Sequence, residues 1–412
     1  MQRTITNKAP ERNRLLPILS GLLLVLTGLF TGTALAQTTY NWTGAVDTDW
    51  NKPLNWQSTV TLAPRITPAN NDILVLGSGT PVTVSNVSTE TVGQLVVTGN
   101  TAVTLQANTA GTQTLTIAGG AGTGLVVAAG SSLNINGTSV LNILLGANAA
   151  GSVSGSMTFT NAMHTITGPS ANSLVFNAGA TFTQGLGCIG SVFDSGGTDG
   201  VVVFSGGSTF ISRDGATPFG TATKVIFQTG SLYSHQQEAL PSLSGRTYAN
   251  FEMNYATYNR TAPSPGNSPW TVDNLTITAT GSPTGFGVNH AGAINIRGNL
   301  SVNGGILSFV PAAANTLTFN GTGTQLISGA GILNISSFTT ATVGSGSTVV
   351  LGRPLTLNGN LQINGVLESS TQNLTVTGST TIQGTFLDTG AGGTDSFVGP
   401  LLLTPTGRFV TN

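Results

Sequence analysis

The sequence predicts an all-β fold: a parallel β-helix or β-solenoid with a Trp-rich N-terminal cap and one irregular excursion. Charged residues make up only 7% of the 412 residues, against about 25% in an average soluble domain. Glycine occupies 56 positions, and short phrases of alternating apolar and polar residues repeatedly end at a Gly turn. Near the C-terminus such phrases recur at a fixed spacing, which is typical of stacked repeats.

Composition excludes several other classes of protein. An apolar content of 39% is enough for a large core and excludes a disordered chain. Long exposed helices need Glu, Lys and Arg on their surfaces, and this chain has few of them. The glycines follow no three-residue collagen period. Most polar positions are Thr, Ser and Asn, so we expect a surface with little charge.

Residues 1–36 predict a secretory signal peptide. Its basic start contains Arg3, Lys8, Arg12 and Arg14. An apolar run over residues 15–30 follows, and small residues at 34 and 36 form a cleavage site, so cleavage is expected after Ala36. A retained membrane anchor is the alternative, although the run is short for the roughly 20 residues that a span needs. We therefore expect a secreted or outer-surface protein without a transmembrane span after cleavage.

The mature chain has a small negative charge. Removal of the leader leaves 13 − 4 = 9 basic and 14 − 1 = 13 acidic side chains, a net charge of 9 − 13 = −4. Nucleic-acid binding needs clustered Lys and Arg, so no nucleic-acid partner is expected. Cys188 is the only cysteine and cannot form an internal disulfide. Packing and backbone hydrogen bonds must therefore supply the stability.

The C-terminal region contains a repeat with a defined register. The phrase LTLNG at 355–359 aligns with LTVTG at 374–378, a shift of 374 − 355 = 19 residues. The same shift places Ile363, Gly365 and Leu367 on Ile382, Gly384 and Phe386. A repeat near 20 residues fits one coil of a parallel β-solenoid, in which neighbouring coils bury each other's inner face. The alternative is an antiparallel sandwich or tandem immunoglobulin-like modules, which have longer strands and about 100 residues per module.

Two stretches interrupt the repeats and divide the chain. Residues 37–75 contain three of the four Trp, and residues 232–270 contain four of the five Tyr. We therefore predict a Trp-rich cap over 37–75, solenoid repeats over 76–231, an irregular Tyr-rich excursion over 232–270, and further repeats over 271–412. The last repeat ends without a recognisable cap, so we expect a chain that is truncated at its C-terminus.

Six residues are assigned to the cap. They are Trp42, Gly44, Trp50, Asn55, Trp56 and Asp72. The three Trp rings are expected to pack on one another and plug the first coil, while the Asn and Asp side chains satisfy backbone amides in turns. The alternative is an exposed sugar-binding platform made by the same rings.

The excursion contains the candidate ligand-binding residues. They are Tyr233, His235, Arg246, Tyr248, Tyr255 and Tyr258. Aromatic side chains and Arg are enriched at binding surfaces, and loops that interrupt a scaffold often carry function. The partners expected for such a surface are glycans or the surfaces of host or neighbouring cells. The alternative is that these rings only attach the loop to the solenoid.

Two Asp-containing glycine turns are the calcium candidates. Their carboxylates belong to Asp194, Asp199, Asp388 and Asp395. Neither turn has the ligand spacing of an EF-hand, and turns closed by the Asp side chains themselves are the favoured alternative. The three histidines, His164, His235 and His290, have no metal-ligand spacing. We therefore predict no metal and no cofactor.

Catalysis and ice binding are disfavoured by the spacing of the relevant residues. A polysaccharide-degrading β-helix needs clustered carboxylates with Lys or Arg along one row of strands, whereas the acidic residues here are dispersed. Thr-x-Thr phrases such as Thr158/Thr160 and Thr181/Thr183 suggest an ice-binding face, which needs Thr at one fixed place in every coil. The 19-residue repeat does not meet that need, because its Thr row also contains Asn. We predict a protein that is not an enzyme.

The start of the mature chain resembles a known family. Its motif W-x-G…W…N-W…P-x-x-x-D is formed by Trp42-Thr43-Gly44, Trp50, Asn55-Trp56 and the segment 68–72. Gly/Thr/Asn-rich repeats such as NLTVTG at 373–378 follow. This combination resembles secreted β-solenoid, adhesin-like surface proteins common in Bacteroidetes. The resemblance implies a cell-surface or secreted structural protein, often exported by the type IX machinery. The C-terminal sorting domain common in that family is not recognisable in this sequence.

The predicted function is that of a secreted or cell-surface, structural and adhesin-like β-solenoid without catalytic activity. A carbohydrate-binding surface protein that uses the Tyr-rich excursion is the alternative. A polysaccharide-degrading β-helix enzyme is a third and less favoured hypothesis.

Overall fold

The computed structural model describes residues 37–109, 111–120, 122–194, 197–215, 218–219, 223–264 and 266–411. The predicted signal peptide, residues 1–36, lies outside the described residues. Within them the chain is an all-β, parallel β-solenoid of about 14 turns with an N-terminal Trp cluster, which confirms the predicted fold class. The described residues contain one short 3-10 helix, Pro53–Asn55, and no α-helix.

The described strands form four sheets, which we call the early, shared, short and late faces. The early face contains Thr39–Trp42, Trp56–Ser58, Ile73–Leu76, Gln94–Val97, Leu125–Val127, Gly151–Val153, Leu174–Phe176, Val202–Phe204 and Val225–Phe227. The short face contains Glu90–Val92, Gln113–Gly119, Leu141–Asn148 and Thr165–Thr167. The late face contains Arg260–Ser264, Phe286–His290, Ile306–Phe309, Ile332–Ile335, Leu355–Leu357, Leu374–Val376 and Asp395–Phe397.

The shared face extends from the first coils to the last described coil. Its strands up to residue 279 are Val82–Val87, Ala102–Ala107, Ser132–Asn136, Ser156–Thr160, Thr181–Gln184, Thr209–Ser212, Leu232–His235, Thr247–Asn254 and Trp270–Ala279. Those that follow are Ile294–Ile296, Leu300–Val302, Asn315–Phe319, Thr324–Ser328, Thr339–Val343, Thr348–Leu351, Asn360–Ile363, Val366–Glu368, Thr380–Ile382, Thr385–Asp388, Leu401–Leu403 and Arg408–Thr411.

The long strand Trp270–Ala279 divides the shared face into two ladders. Its residues 270–272 pair in parallel with 294–296, whereas its residues 275–277 pair in parallel with 300–302. Each later coil therefore gives two strands to the shared face and one to the late face. The short face ends at residue 167 and the early face at residue 227, while the stacking of coils continues on the shared and late faces.

Alternation of side chains explains why these short segments become strands. In Ser132–Asn136, which reads SLNIN, Leu133 and Ile135 are fully buried and the other three residues are half-buried. The next coil places Met157 on Leu133 and Phe159 on Ile135. Because successive residues point to opposite sides of a strand, the apolar set faces the interior and the Thr, Ser and Asn set faces outward.

Aromatic rings stack along the interior of the central coils. Phe204 lies between Phe176, at 4.5 Å between ring centroids, and Phe227, at 5.0 Å, with interplanar angles of 5° and 15°. Phe210 stacks in the same way on Phe182 and Tyr233. Parallel strands are about 4.8 Å apart, so identical rings on successive coils are held close to their stacking distance.

The predicted 19-residue register is confirmed. Leu355 pairs with Leu374, Ile363 with Ile382, and Leu367 with Phe386. The glycines stack too, because a Cβ added at Gly384 would lie within 3.0 Å of backbone atoms of Asn364 and Gly365. Glycine is required there by the close approach of two coils rather than by an unusual φ angle.

The segment 232–270 corrects the prediction of an excursion across the solenoid. Strand Leu232–His235 pairs in parallel with Thr209–Ser212 before it and with residues 250–253 after it. Strand Thr247–Asn254 pairs in parallel with Trp270–Ala279. The segment is therefore part of the stack, and its Tyr233 occupies the inward position that Phe210 occupies in the preceding coil.

The last described coil exposes apolar side chains. Leu401, Leu402 and Leu403 are 48%, 59% and 50% exposed, whereas the inward residues of the preceding coils, such as Ile382 and Phe386, are fully buried. Burial of apolar side chains in this fold thus depends on a neighbouring coil on each side.

We expect Gly384→Ala to destabilise the C-terminal coils by about 1–3 kcal/mol, because the new methyl group overlaps the backbone of the preceding coil. Gly323→Ala is the matched control, since a Cβ at Gly323 meets no atom within 4 Å. The control should be neutral or slightly stabilising, because alanine restricts the unfolded chain. Urea unfolding midpoints followed by circular dichroism measure both. Equal midpoints for the two variants would contradict close coil stacking at this glycine.

Candidate functional site

The Trp cluster lies at the first coil, where two strands bring its rings together. Trp42 and Trp56 are paired residues on adjacent antiparallel strands, and their rings pack edge to face at 4.9 Å. Trp50 packs edge to face on Trp56 at 5.0 Å, and the Trp56 indole donates a hydrogen bond to the Trp50 carbonyl at 2.9 Å. Trp50 and Trp56 are each only 1% exposed. Such rings offer almost no face to a sugar.

Asn55 organises the turn that carries Trp50. Its Oδ1 accepts hydrogen bonds from the backbone amides of Val46 and Asp47, and its Nδ2 donates to the Asp47 carboxylate and the Asp49 carbonyl. The hydrogen bond from the Asp49 amide, and then that from Asn55, lower the pKa of Asp47. Gly44 adopts φ +57°, and a Cβ there would lie 3.2 Å from the Trp42 indole nitrogen. These contacts place Gly44 and Asn55 in the cap, as the sequence predicts.

A buried ion network ties this turn to the next coil. The Arg65 Nε donates to the Asp72 carboxylate at 2.7 Å, and an Arg65 Nη donates to the Glu90 carboxylate. The other Glu90 oxygen accepts from the Trp50 indole at 2.6 Å, and Asp72 also accepts from the Ala69 amide at 2.9 Å. Arg65 and Asp72 are each 3% exposed. Sequence reasoning found Asp72 but missed Arg65 and Glu90, whose only signal is their charge in a chain with so few charges.

A cleft of about 220 Å³ lies against this network. It is lined by Trp50, Asn51, Lys52, Pro53, Trp56, Arg65, Pro68, Ser88, Thr89 and Glu90. The Arg65 guanidinium and the Glu90 carboxylate are already engaged in the internal bonds above, and the Trp rings are buried. The charged and aromatic groups that line this cleft therefore already hold the cap together through contacts within the protein.

Four of the six candidate ligand-binding residues in the Tyr-rich segment face the core instead of the solvent. Tyr233, His235, Tyr248 and Tyr258 are at most 1% exposed. This corrects the interpretation of these four side chains as a binding surface. The parallel strands direct Tyr233, His235 and Tyr248 inward, and Tyr258, which follows the second strand, packs edge to face on Phe286. Arg246 and Tyr255 are half-buried.

Arg246 and His235 have defined partners near that core. The Arg246 guanidinium lies over the Phe219 ring at 4.7 Å from its centroid. The His235 Nε2 lies 2.7 Å from the Ala239 carbonyl, to which it donates, and Nδ1 lies 3.1 Å from the Tyr233 hydroxyl. This arrangement fits a neutral imidazole with its proton on Nε2, and burial lowers the pKa of His235 to about 4.

Tyr255 belongs to a wider groove on the outer side of the shared face, with a volume of about 480 Å³. We call this the Thr groove. Its lining residues are Thr158, Thr160, Thr183, Gly185, Leu186, Arg213, Gln236, Asn254 and Tyr255. Three of these Thr residues, Thr158, Thr160 and Thr183, belong to the Thr-x-Thr phrases that suggested an ice-binding face. The coil register that gathers the others could not be derived from the irregular repeat lengths.

The calcium candidates do not form a metal centre among the described residues, where no group of three or more His, Cys, Asp or Glu side chains could hold an ion. Asp194 lies 3.8 Å from the Lys224 amine, and Asp199 is exposed. Asp395 accepts hydrogen bonds from the Ser369 hydroxyl at 2.9 Å and the Leu374 amide at 3.2 Å. Burial, together with the nearby Asp388, raises the pKa of Asp395.

Cys188 and His164 are a nucleophilic and a titratable side chain that lie inside the protein. Cys188 is fully buried, and burial raises the pKa of its thiol to about 11, so the reactive thiolate is disfavoured. His164 is also buried and accepts a hydrogen bond on Nδ1 from the Leu141 amide at 3.0 Å. Burial lowers the pKa of His164.

Comparisons of the chain with known proteins do not identify its family. No family model matches the chain, and neither a curated protein nor a solved structure matches it. The chain is a β-solenoid protein, and no family or homologue identifies it as a Bacteroidetes adhesin. Within the described residues, we find no helix with the length and apolar character needed to cross a membrane.

We expect Arg65→Met to destabilise the cap by about 3–5 kcal/mol, because the buried Asp72 carboxylate and the largely buried Glu90 carboxylate lose their shared cation. Arg297→Met is the matched control, since Arg297 pairs with Asp273 at 2.7 Å but is 46% exposed. Exposed pairs contribute only about 0–1 kcal/mol. Intrinsic Trp fluorescence during urea unfolding reports the cap, which holds three of the four Trp. Equal losses in the two variants would show that the Arg65 network does not hold the cap.

We expect the free energy of unfolding to fall as the pH falls from about 6.5 to about 4, with His235 contributing about 3 kcal/mol. The sign follows because the unfolded chain binds a proton on this histidine at higher pH than the folded chain does. His235→Gln removes this contribution, so its penalty relative to wild type should shrink as the solution becomes more acidic. Urea midpoints at pH 7, 5.5 and 4 measure the difference. A penalty that is independent of pH would contradict a neutral, buried His235.

Proposed function

We propose that this protein is a secreted or cell-surface structural protein of adhesin-like character, without catalytic activity. The observation that carries the proposal is the shared face, whose parallel pairing passes from Val82–Val87 through each successive coil to Arg408–Thr411. About 14 coils at about 4.8 Å each give a stack that rises roughly 67 Å. A continuous core of this kind suits a spacer or stalk.

The energetics of the stack support a mechanical role. Each coil is bonded to its neighbours by backbone hydrogen bonds and buries its inner side chains against them. In such repeats the stability is approximately a sum over coils and the contacts between them. A protease must open several coils before it finds an extended segment, so this fold suits a protein exposed outside the cell.

The distribution of charge supports a non-catalytic protein. The mature chain has 13 acidic and 9 basic side chains, and the two carboxylates bonded to Arg65 are engaged in holding the cap. General acid–base catalysis needs groups that are free to exchange a proton with a substrate. The resemblance of the N-terminal motif to adhesin-like proteins of Bacteroidetes supports the surface role, with export by the type IX machinery as the expected route.

Surface exposure and attachment test this proposal in the cells that produce the protein. Antibodies against residues 37–412 should label intact cells, and deletion of the gene should reduce attachment to a solid surface. Complementation with Gly323→Ala should restore attachment, whereas Gly384→Ala should restore it only in part because its coils stack poorly. Absence of surface labelling, or unchanged attachment after deletion, would overturn the proposal.

A further inference from the structure

The Thr groove follows the direction in which the coils stack. Thr158 and Thr183 are paired residues on adjacent strands of the shared face. Arg213 and Gln236 come directly after the next two strands of this face, and Asn254 ends the strand after those. The lining thus comes from five successive coils, so the groove is roughly 19 Å long, from four coil spacings of about 4.8 Å.

Its wall combines neutral hydrogen-bonding groups with apolar surface. The Thr hydroxyls and the amides of Gln236 and Asn254 both donate and accept hydrogen bonds. Leu186 is 70% exposed. Tyr255 is half-buried, because it packs against the core while it also lines the groove. Sugars have this same combination of hydroxyl groups and apolar C–H faces, and aromatic rings serve amphipathic ligands of this kind.

The charge near the groove favours a neutral ligand. Arg213 is exposed, and its Nε donates to the Gln236 side chain at 3.3 Å. Asp214 follows it in sequence, with a carboxylate that accepts hydrogen bonds from the Gly187 and Gly215 amides. Glu252 faces outward two residues before Asn254 and accepts from the Ser234 hydroxyl at 2.6 Å. One cation beside two carboxylates gives no net attraction for an anionic chain.

Other macromolecules fit this surface less well. A nucleic acid needs clustered Lys and Arg along its backbone, and Arg213 is the only cation in the lining. A peptide that adds a strand needs a free strand edge, whereas the strands beneath the groove are paired on both sides.

We propose that the Thr groove binds a neutral glycan chain lying along the solenoid axis. The Tyr255 ring and Leu186 contact the apolar faces of the sugars, and Arg213, Gln236 and Asn254 bond to their hydroxyls. This inference goes beyond the mechanical role proposed above, because a spacer needs no ligand. It also replaces the six candidate ligand-binding residues of the Tyr-rich segment by a site that includes only Tyr255 among them.

The test uses residues 37–412 and isothermal titration with soluble hexasaccharides. The neutral probes are cellohexaose, chitohexaose, mannohexaose, xylohexaose, laminarihexaose and maltohexaose, and the acidic probe is hexagalacturonate. At least one neutral probe should bind, and more tightly than the acidic one. Tyr255→Ala should weaken binding by about tenfold, the loss expected from one ring contact. Arg213→Ala should weaken it by about threefold to tenfold for a lost hydrogen bond.

Two further variants keep the proposal falsifiable where Tyr255→Ala disturbs the core. Thr183→Trp fills the groove from an outward position and should abolish binding. Thr318→Ala changes an outward residue of the shared face outside the groove and should leave binding within about twofold. Failure of all neutral probes to bind, tighter binding of hexagalacturonate, or unchanged binding in Thr183→Trp would each overturn the glycan site. Surface labelling and attachment of the cells separately decide the mechanical role.

Discussion

In-register stacking of identical coil positions is the constraint on which this structure depends. A coil of three short strands has too little interior to fold alone, so its apolar side chains are buried only by the coils above and below. Phe204 between Phe176 and Phe227 shows how the 4.8 Å spacing of parallel strands becomes a ring-stacking distance. The same constraint reaches the turns, where Gly384 lies too close to Gly365 for any side chain.

Stacking also explains where the few charged residues act. Outward strand positions need only neutral hydroxyl and amide groups, which can bond to the equivalent groups of the next coil, as Asn274 does to Asn250 at 2.7 Å. The beginning of the stack is different because, among the described residues, the first coil has a neighbouring coil on one side only. There the Trp rings fill the interior, and Arg65 with its carboxylate partners fixes them to the following coil. The scarcity of charge and the buried ion network are thus two results of one architecture.

Sequence reasoning predicts the coils well wherever the repeat length is constant. The 19-residue shift places Leu355 on Leu374 and Ile363 on Ile382 as the structure does. Elsewhere the length of the coil varies, since position 181 pairs with 209 and position 232 with 250. A variable length conceals the register, so the 232–270 segment resembled an inserted loop. The Thr groove and the Arg65 network were missed for the same reason, because both join residues whose proximity follows only from the register.

The most direct test of this account is the distance between spin labels placed along the shared face in a Cys188→Ala background. Successive pairing from Thr104 reaches Ile211 after four coils and Ser301 after eight. Stacking predicts separations of about 19 Å for the pair 104/211 and about 38 Å for the pair 104/301. Double electron–electron resonance measures both. A ratio near two supports continuous stacking of the coils, and separations that do not increase with the number of coils would contradict it.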